Sequence, residues 1–340
     1  MAAVNVFVAA RGNRFMTEIA DWIAEAATLT GRDATVISDR LPTNDGSVNL
    51  VVAPHEFFAL YPATRAQLRD AAAASICIST EQPGTSWFDV ARDFCRRGVL
   101  ALDISDQGVD ALRADGVRTE RLRLGGVPSM HTDLDGSDRP IDVLFMGAID
   151  DRRGAALADL APHLWRVHAD IRIVAGDRPI DVATPNTVFG ADKHRLLASS
   201  KLILNLHRGR AGDATPYFEW ARAVEAMANG CVVVTEPSTG YEPLIPGSHV
   251  VEAELAAMPA AIDALLGDDA ARSRIADAAR AAIFGELAMV RSLGPLLDRI
   301  EQLLPTTTVP QPDRVFRAHQ GWLETLRRRP PAPRVGAFRP

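Results

Sequence analysis

Short runs of apolar, β-branched residues recur along the chain, and they alternate with longer stretches that have the spacing of amphipathic helices. A strand buried on both faces has a continuous apolar run, and strands that alternate with helices are typical of a parallel sheet covered by helices. The pattern therefore predicts an α/β fold with doubly wound parallel sheets. The predicted strands begin at Val4, Ala34, Asn49, Ser75, Val99 and Arg121, and then at Ile141, Ile171, Lys201, Cys231 and Ser248.

The alternation of strands and helices is interrupted once, between residues 131 and 140, where the sequence is polar, rich in aspartate and without a hydrophobic period. Such a segment is typical of a linker between domains. We therefore predict two Rossmann-like domains, at residues 1–130 and 141–300, joined by a linker at 131–140. Domains of this kind face each other across a cleft and bind ligands at the carboxyl ends of their strands.

Residues 301–340 are predicted to form a C-terminal extension with a different character. It begins with a stretch rich in proline and threonine, which favours an extended connection. The stretch that follows contains Phe316 and Trp322 at apolar positions of an amphipathic helix. We expect this helix to return toward the N-terminal domain.

Composition and charge narrow the classes of function. Hydrophobic residues make up 47% of the 340 residues and charged residues 24%, which is an ordinary globular mixture. The net charge of −6 gives no electrostatic case for nucleic-acid binding. The three cysteines are far apart in sequence and odd in number, which favours a reducing, cytoplasmic location. No stretch approaches the roughly 20 apolar residues needed to span a bilayer.

Polar residues that follow the strands of the first domain are the first candidates for chemistry. Arg11, Gly12 and Asn13 follow the first strand and are predicted to contact a phosphate group or an acceptor. His55 follows the third strand and Glu81 the fourth, and each is a candidate general base. Such residues are common in any loop after a strand, so a structural role is the alternative for each of them.

The stretch "FMGAIDDRRG" has the pattern of a strand that ends near Gly147 and a helix that begins near Arg153. Backbone N–H groups at a helix start favour anions, and glycine permits close approach of a ligand. Arg152 and Arg153 are therefore predicted to bind a diphosphate through bidentate contacts. The alternative is a solvated basic pair that balances Asp150 and Asp151.

The stretch "TPYFEWARAVEAMANGCVVVTEP" combines a helix and a buried strand with several charged residues. Glu219, Arg222 and Glu225 lie on neighbouring stripes of the helix, Gly230 ends it in a left-handed cap, and Glu236 follows the strand. Because a carboxylate accepts both hydroxyls of a ribose, Glu225 is predicted to bind a nucleotide, with Arg222 orienting Glu225 or Glu219. The alternative is a pair of surface ion pairs that contribute ~0.2–0.5 kcal/mol each.

The segment "ARAVEAMANGCVVVTEPSTGYEPLIPGSHVV" resembles the donor site of GT-B glycosyltransferases, in particular bacterial glycosyl transferases of the group 1-like type. "LFMGAIDDRR" and "LILNLHRG" resemble a branch of bacterial transferases that has a glycine and an Arg-Arg pair after one strand and an "NxH" at the end of another. His207 is the histidine of the second motif. The likeness covers residues 140–285, whereas the N-terminal part is similar only in architecture.

This resemblance implies a GT-B fold, with an N-terminal acceptor domain and a C-terminal domain that binds a nucleoside-diphosphate sugar. It implies no cofactor besides this co-substrate, and it leaves the acceptor open. Because no acidic pair has clear metal-binding spacing, we expect no metal site and metal-independent transfer. The implied donor-binding residues are Gly147, Arg152, Arg153, Glu219, Arg222, Glu225 and Glu236, and the candidate catalytic residues are His55, Glu81 and His207.

One position departs from the pattern of the family. Retaining members carry a second glutamate eight positions before the ribose acid, and here that position is Tyr217, with Glu219 two residues later. The stereochemistry of transfer is therefore open. Two other functions also stay open: a nucleotide-sugar epimerase or hydrolase with the same two-domain layout, and a non-catalytic relative that binds nucleotide sugars, because a fold does not fix a function.

Overall fold

The structure, a computed structural model, describes residues 1–133, 138–175, 179–209 and 216–303. We refer to residues 1–133 as the N-terminal half and to residues 138–303 as the C-terminal half.

The N-terminal half contains six strands, and all the pairs between them are parallel. The strands are β1 (Val4–Phe7), β2 (Ala34–Ile37), β3 (Val48–Val52), β4 (Ile76–Ser79), β5 (Leu100–Asp103) and β6 (Thr119–Arg121). The helices are α1 (Arg14–Leu29), α2 (Pro54–Leu60), α3 (Arg65–Ala73), α4 (Ser86–Cys95) and α5 (Asp106–Ala114), and a 3-10 turn follows at Pro128–Met130. The order in the sheet is β2-β1-β3-β4-β5-β6.

The C-terminal half contains five strands, also in parallel pairs. They are β7 (Ile141–Ile149), β8 (Ala169–Ala175), β9 (Ser200–Asn205), β10 (Val232–Thr235) and β11 (Val251–Glu252). The helices are α6 (Asp151–Leu164), α7 (Gly190–Ala198), α8 (Trp220–Ala228), α9 (Met258–Gly267), α10 (Asp269–Phe284) and α11 (Met289–Leu303), with a 3-10 turn at Leu255–Ala257. The order in the sheet is β11-β10-β9-β7-β8.

The two sheets share one doubly wound order, which confirms the predicted fold class. In each sheet the second strand lies on one side of the first, and the later strands lie on the other side. The order reverses between β1 and β3 in the N-terminal half and between β7 and β9 in the C-terminal half. Ligands of such sheets bind at the carboxyl ends of the strands where the order reverses. The sequence-predicted loops after the first and third strands of each sheet therefore lie at the expected crevices.

The two halves are joined by a shared apolar core and by a crossing of the chain between α10 and α11. One cluster of buried apolar side chains extends from β1 and α1 to α8, α10 and α11. At the crossing, the N–H of Gly126 donates to the Ile283 carbonyl, and the Met289 N–H donates back to Gly126. A Cβ atom on Gly125 would lie 1.7 Å from the Leu287 carbonyl oxygen, so this close contact requires glycine.

The chain returns to the N-terminal half at α11, which packs against α1. Arg32 is buried and pairs with Asp298 and with Glu301, whose Oε1 lies 3.2 Å from the arginine Nε. The return therefore begins before residue 301. The amphipathic helix predicted around Phe316 and Trp322 lies outside the described residues, so its return toward the N-terminal domain stays a prediction.

Candidate functional site

A cavity of about 260 Å³ lies between the two halves, at the carboxyl ends of β1 and β7. From the N-terminal half it is lined by Asn13, Phe15 and Glu18 at the start of α1. The C-terminal half supplies the other walls, which include most of the charge. The charged lining residues of that half are Arg153, Lys193, Arg208, Glu219, Arg222 and Glu225.

Two guanidinium groups meet at Gly147 on one wall of this cavity. A Cβ atom on Gly147 would lie 3.3 Å from Arg222 Nη2 and 3.4 Å from Arg153 Nη1, so the missing side chain leaves room beside both groups. Within the described parts of the chain, neither arginine forms an ion pair with a carboxylate. Two adjacent cations without a paired anion make a site that favours a bound anion such as a diphosphate.

Gly147 itself lies inside β7, two residues before the strand ends at Ile149. The sequence predicted that the strand would end near this glycine, and the structure extends it because β7 pairs with β8 in register through Ile149. Helix α6 then begins at Asp151, slightly earlier than predicted. Because Gly147 has no side chain, it leaves a gap in the surface of the sheet. It does not form part of the turn between β7 and α6.

Arg153 is 4% exposed and is fixed by backbone acceptors of two strand ends. Its Nε donates to the Leu206 carbonyl, and its Nη1 donates to the Ala148 carbonyl, both at 2.9 Å. Burial, together with the neighbouring Arg222, lowers the pKa of Arg153 to about 9. Burial of the charged guanidinium is unfavourable, and an anion that binds beside it would stabilise the charge.

Arg222 is held by Asn205 at the end of β9, where its Nη1 lies 2.7 Å from the asparagine Oδ1. The sequence predicted that Arg222 would orient Glu225 or Glu219, and this partner assignment is corrected. One turn of a helix separates these residues, but the guanidinium is drawn to the strand end, and no ion pair links it to either glutamate within the described residues. Burial lowers the pKa of Arg222, and Glu219 and Glu225 act in the opposite direction.

Glu225, the candidate ribose-binding acid, lines the cavity and is only 2% exposed. Lys193 Nζ lies 2.6 Å from Glu225 Oε1, and His194 Nε2 lies 3.3 Å from the same oxygen. Gly230 follows the helix with a φ of +66°, which confirms the predicted left-handed cap. The sequence did not predict the two partners of Glu225, which come from α7.

Glu219 also lines the cavity, directly before α8, and its side chain does not cap the helix. Tyr217, at the position where retaining relatives carry the upstream acid, is 4% exposed and pairs through its backbone with Thr239. The carboxylate at the cavity is therefore displaced by two residues from the family pattern.

Arg152 and Glu236 form a bidentate ion pair next to the cavity wall. Arg152 Nη1 lies 2.8 Å from Glu236 Oε2, and the second guanidinium nitrogen contacts Oε1. Burial raises the pKa of Glu236, but the bonds from Arg152 and from the His207 N–H outweigh this effect and hold it below its ordinary value. Arg152 is thus already paired, in contrast to Arg153, which follows it in sequence.

The start of α6 is capped by the protein itself. Asp150 Oδ1 accepts the Arg153 N–H at 2.8 Å, and Asp150 Oδ2 accepts the Gly209 N–H at 3.0 Å. The sequence predicted that the helix-start N–H groups would be available to an anion, but the aspartate carboxylate occupies this position. Side-chain guanidiniums are therefore the main cations that the cavity offers.

His207 follows β9 and is 6% exposed. Its Nε2 lies 3.0 Å from Ser238 Oγ and 3.2 Å from the Pro237 carbonyl oxygen. Burial lowers the pKa of His207, so its ring is neutral near pH 7. These contacts fix the ring within the loop after β10.

His55 and Glu81 lie together at the carboxyl edge of the first sheet. His55 Nε2 is 3.6 Å from Glu81 Oε1, and His55 is 1% exposed. Burial lowers the pKa of His55 to about 3, so it is a neutral partner of Glu81. Burial and then Glu56 raise the pKa of Glu81 to about 7, and Arg208 and Glu219 also influence it across the cleft.

The loop after β1 is anchored by Glu56. Glu56 Oε2 accepts the Asn13 N–H at 2.7 Å, and a Cβ atom on Gly12 would lie 2.5 Å from the same oxygen. Asn13 caps α1 and lines the cavity. Arg11 is exposed and lines a second hollow with Asp39 and Tyr61, so the three loop residues do not all face the cavity.

Glu56 gives a pH dependence that can be measured. Burial raises its pKa to about 7, although the Asn13 N–H acts in the other direction. Because the unfolded chain gives up this proton at a lower pH, the stabilisation is complete below about pH 4.3 and is lost as the pH rises through 7. We expect Glu56 alone to lower the free energy of unfolding by on the order of 3 kcal/mol between pH 4 and pH 8.

Denaturant unfolding of the wild type and of Glu56→Gln across this range checks the expectation. The amide keeps an acceptor for Asn13 but does not ionise, so the variant should lose that part of the pH dependence. Glu25→Gln is the control, because Glu25 bonds to Ser129 at the surface. Parallel pH profiles for the wild type and Glu56→Gln would contradict the raised pKa.

In the described residues, no group of three or more His, Cys, Asp or Glu side chains has a geometry that could hold a metal ion. The same part of the chain contains no helix that is long and apolar enough to cross a membrane. The three cysteines are free and buried.

Two facing doubly wound sheets with a charged cavity between them define the GT-B fold of glycosyltransferases. Residues 155–298 match the family model described as "Glycosyl transferase-like". Over these residues the resemblance predicted from the sequence is confirmed, and the two sheets have the arrangement of the GT-B fold. No curated protein gives a significant match to the chain.

Solved glycosyltransferase structures share this fold at low sequence identity. HepE of Anabaena in complex with UDP has a TM-score of 0.53 and 15% identity, covering 88% of this chain and 100% of that chain. Sucrose-phosphate synthase from Thermosynechococcus elongatus has a TM-score of 0.54 and 14% identity, covering 88% and 99%. WaaG, a glycosyltransferase involved in lipopolysaccharide biosynthesis, has a TM-score of 0.52 and 13% identity, covering 90% and 100%.

Proposed function

We propose that this protein transfers a sugar from a nucleoside-diphosphate sugar to an acceptor, and that it does so without a metal ion. The observation that carries the proposal is the pair of guanidiniums, Arg153 and Arg222, that meet at Gly147 without a carboxylate partner in the described residues. A nucleoside diphosphate matches such a site, because its two phosphates carry the negative charge that the arginines lack. HepE, which has the same fold, has a crystal structure in complex with UDP.

The position of Glu225 supports a nucleotide in one orientation. Glu225 and the arginine pair line the same cavity, so a diphosphate at Gly147 leaves the carboxylate for the ribose hydroxyls. Lys193 contacts Oε1 of Glu225, and the second oxygen has no partner among the described residues and can accept a hydrogen bond. The donor would then lie across the carboxyl ends of β7 and β9, with its sugar directed toward Glu219 or the N-terminal half.

Catalysis would follow from charge stabilisation in an enclosed cleft. As the glycosidic bond breaks, negative charge develops on the leaving diphosphate, and preorganised cations stabilise this charge. Arg153 is preorganised by its two backbone acceptors. The N-terminal half covers the cavity with Asn13, Phe15 and Glu18, which limits access of water to the donor.

Glu81 is the candidate general base for the acceptor. Its carboxylate is partly exposed, it contacts the buried His55, and its pKa of about 7 suits proton transfer near neutral pH. Its electrostatic coupling to Arg208 and Glu219 supports a location that faces the cleft. A base of this kind is required if the acceptor attacks through a hydroxyl group in a single displacement.

A thermal-shift panel of UDP, GDP, ADP and dTDP, followed by turnover assays with the matching nucleotide sugars, tests the proposal. A ligand at 100 times its dissociation constant should stabilise the protein by ~2.7 kcal/mol. We expect one nucleotide to stabilise the protein and its sugar conjugates to be consumed in the presence of an acceptor. Stabilisation by none of them would contradict the proposal, and release of free sugar without an acceptor would favour a hydrolase.

Metal independence gives a separate prediction. The guanidiniums at Gly147 would neutralise the diphosphate in place of a divalent cation. Turnover of the donor should therefore continue at an unchanged rate in excess EDTA. If activity disappears in EDTA and returns with Mg²⁺ or Mn²⁺, the electrostatic role given to Arg153 and Arg222 is wrong.

A further inference from the structure

A buried chain of charged groups crosses between the two halves at the cavity. Glu18, on α1 of the N-terminal half, accepts the Gly190 N–H at 2.6 Å through Oε1 and Lys193 Nζ at 2.5 Å through Oε2. Lys193 Nζ also lies 2.6 Å from Glu225 Oε1. The side chains of Glu18, Lys193 and Glu225 are 9%, 8% and 3% exposed, so water scarcely competes for these contacts.

Lys193 is confined to its position between the two carboxylates. Its Nζ lies 5.4 Å from the centre of the Phe15 ring and 5.8 Å from that of Trp22, both on α1. Burial alone would lower the pKa of Lys193, but Glu225 and Glu18 raise it above its ordinary value, so the ammonium stays charged. Of these contacts of the ammonium within the described residues, those with Glu18, Phe15 and Trp22 come from the other half of the protein.

The charges of Glu18, Lys193 and Glu225 do not cancel. Two carboxylates share one ammonium, so the three groups carry one net negative charge when both carboxylates are ionised. Because the Lys193 ammonium also donates to Glu18, it neutralises Glu225 only in part. The Glu225 oxygen that Lys193 does not contact therefore stays a strong hydrogen-bond acceptor. Without the Glu18 carboxylate, Lys193 would pair with Glu225 alone and neutralise it, and α7 would lose the contact between Glu18 and Gly190.

We propose that Glu18 is a positioning residue for the donor: through Lys193 it orients Glu225 and preserves its capacity to accept ribose hydroxyls, so that ribose recognition requires the N-terminal half to be closed on the C-terminal half. This inference rests on the proposed function, since it takes Glu225 as the ribose acceptor. It adds a residue of the N-terminal half to the recognition of the nucleotide, whose proposed phosphate and ribose contacts come from the C-terminal half.

The test compares a ribonucleotide with its 2′-deoxy analogue. Wild type, Glu18→Gln and Glu25→Gln are titrated with UDP and 2′-deoxy-UDP, or with the corresponding pair for whichever nucleotide of the panel binds most tightly. Sites that bond a hydroxyl discriminate against a ligand that lacks it, so we expect wild type to prefer UDP by about tenfold or more. In Glu18→Gln this preference should fall to about threefold or less.

Glu25→Gln is the matched control, because Glu25 lies on the same helix and bonds only to Ser129 among the described contacts. It should keep the wild-type preference. Glu18→Asp retains the charge with a shorter reach, and it should give an intermediate preference. It also serves as the test variant if Glu18→Gln does not fold, in which case an unchanged preference in Glu18→Asp counts against the inference.

The outcomes separate this inference from the proposed function. If Glu18→Gln weakens both ligands equally and keeps the wild-type preference, Glu18 has a merely structural role and the inference is overturned. If wild type binds a nucleotide without preferring the ribose form, the inference is likewise overturned while the arginine site stands. Failure of wild type to bind any nucleotide of the panel contradicts both proposals.

Discussion

Replacing Arg153 by methionine should weaken binding of a nucleoside diphosphate by one to two orders of magnitude while changing nucleoside binding little. A hydrogen bond that involves a charged group contributes about 1.5–3 kcal/mol, and this range sets the expected loss. The effect is selective because the guanidinium faces the cavity beside Gly147, where the phosphates are proposed to lie. Calorimetric titration of the two ligands measures the selectivity directly.

Arg152→Met is the matched control for this experiment. It removes the same group one position earlier, but Arg152 is already bonded to Glu236 and to the His207 carbonyl. We therefore expect a smaller loss of diphosphate binding in Arg152→Met than in Arg153→Met. Arg153→Met should also lower the stability of the free protein by about 1–3 kcal/mol, because two buried carbonyl oxygens lose their donor. Equal diphosphate affinity in Arg153→Met and wild type would remove this arginine from the site.

Glu225→Gln should reduce the affinity for the donor nucleotide by about 2 kcal/mol, which corresponds to roughly thirtyfold. The amide has nearly the same size but lacks the charge and one of the acceptor oxygens. The sequence alone favours a variant whose stability without ligand is unchanged. The structure changes this expectation, because Lys193 loses one of its two carboxylate partners and we now expect the free protein to be destabilised by about 1–3 kcal/mol.

The two effects of Glu225→Gln can be measured independently. Denaturant unfolding without ligand gives the structural loss, and titration with a nucleoside diphosphate under native conditions gives the loss of binding. Glu236→Gln provides a comparison, since Glu236 is also buried but pairs with Arg152, whose side chain is 40% exposed, and neither residue lines the cavity. A donor affinity that is unchanged in Glu225→Gln would leave this glutamate with a structural role only.

The strands and their order of appearance were predictable from the sequence because buried parallel strands have uninterrupted apolar runs. All five residues of β3 are buried, for example, and "NLVVAP" predicts this strand without knowledge of its neighbours. The same argument placed His55 and Glu81 after neighbouring strands, and their side chains do meet. The length of β7 was less predictable, since Gly147 suggests an end and only the pairing with β8 shows that the strand continues.

The sequence could not distinguish Arg152 from Arg153. Both follow the same strand and have the same chemistry, but successive residues of a helix point about 100° apart, as 3.6 residues per turn require. Since α6 begins at Asp151, Arg153 points to the end of β9, and Arg152 reaches Glu236 after β10. The direction of each side chain depends on where the helix starts, and helix starts are poorly fixed by sequence.

The contact between Glu18 and Lys193 joins residues 175 positions apart, and no local pattern predicts it. One signal was present in α1: Glu18 precedes Trp22 by four positions and shares the buried part of the helix. A carboxylate on such a surface requires a partner, because an unpaired buried charge is costly. The identity of the partner depends on how the two halves face each other, which sequence periodicity does not contain.

The most direct test of the account is a crystal structure of the protein with the nucleoside diphosphate that binds most tightly. We predict that phosphate oxygens lie within hydrogen-bond distance of Arg153 or Arg222, beside Gly147, and that a ribose hydroxyl donates to Glu225. A nucleotide bound away from the cavity between the halves, or bound there with its phosphates directed away from both arginines, would contradict the account.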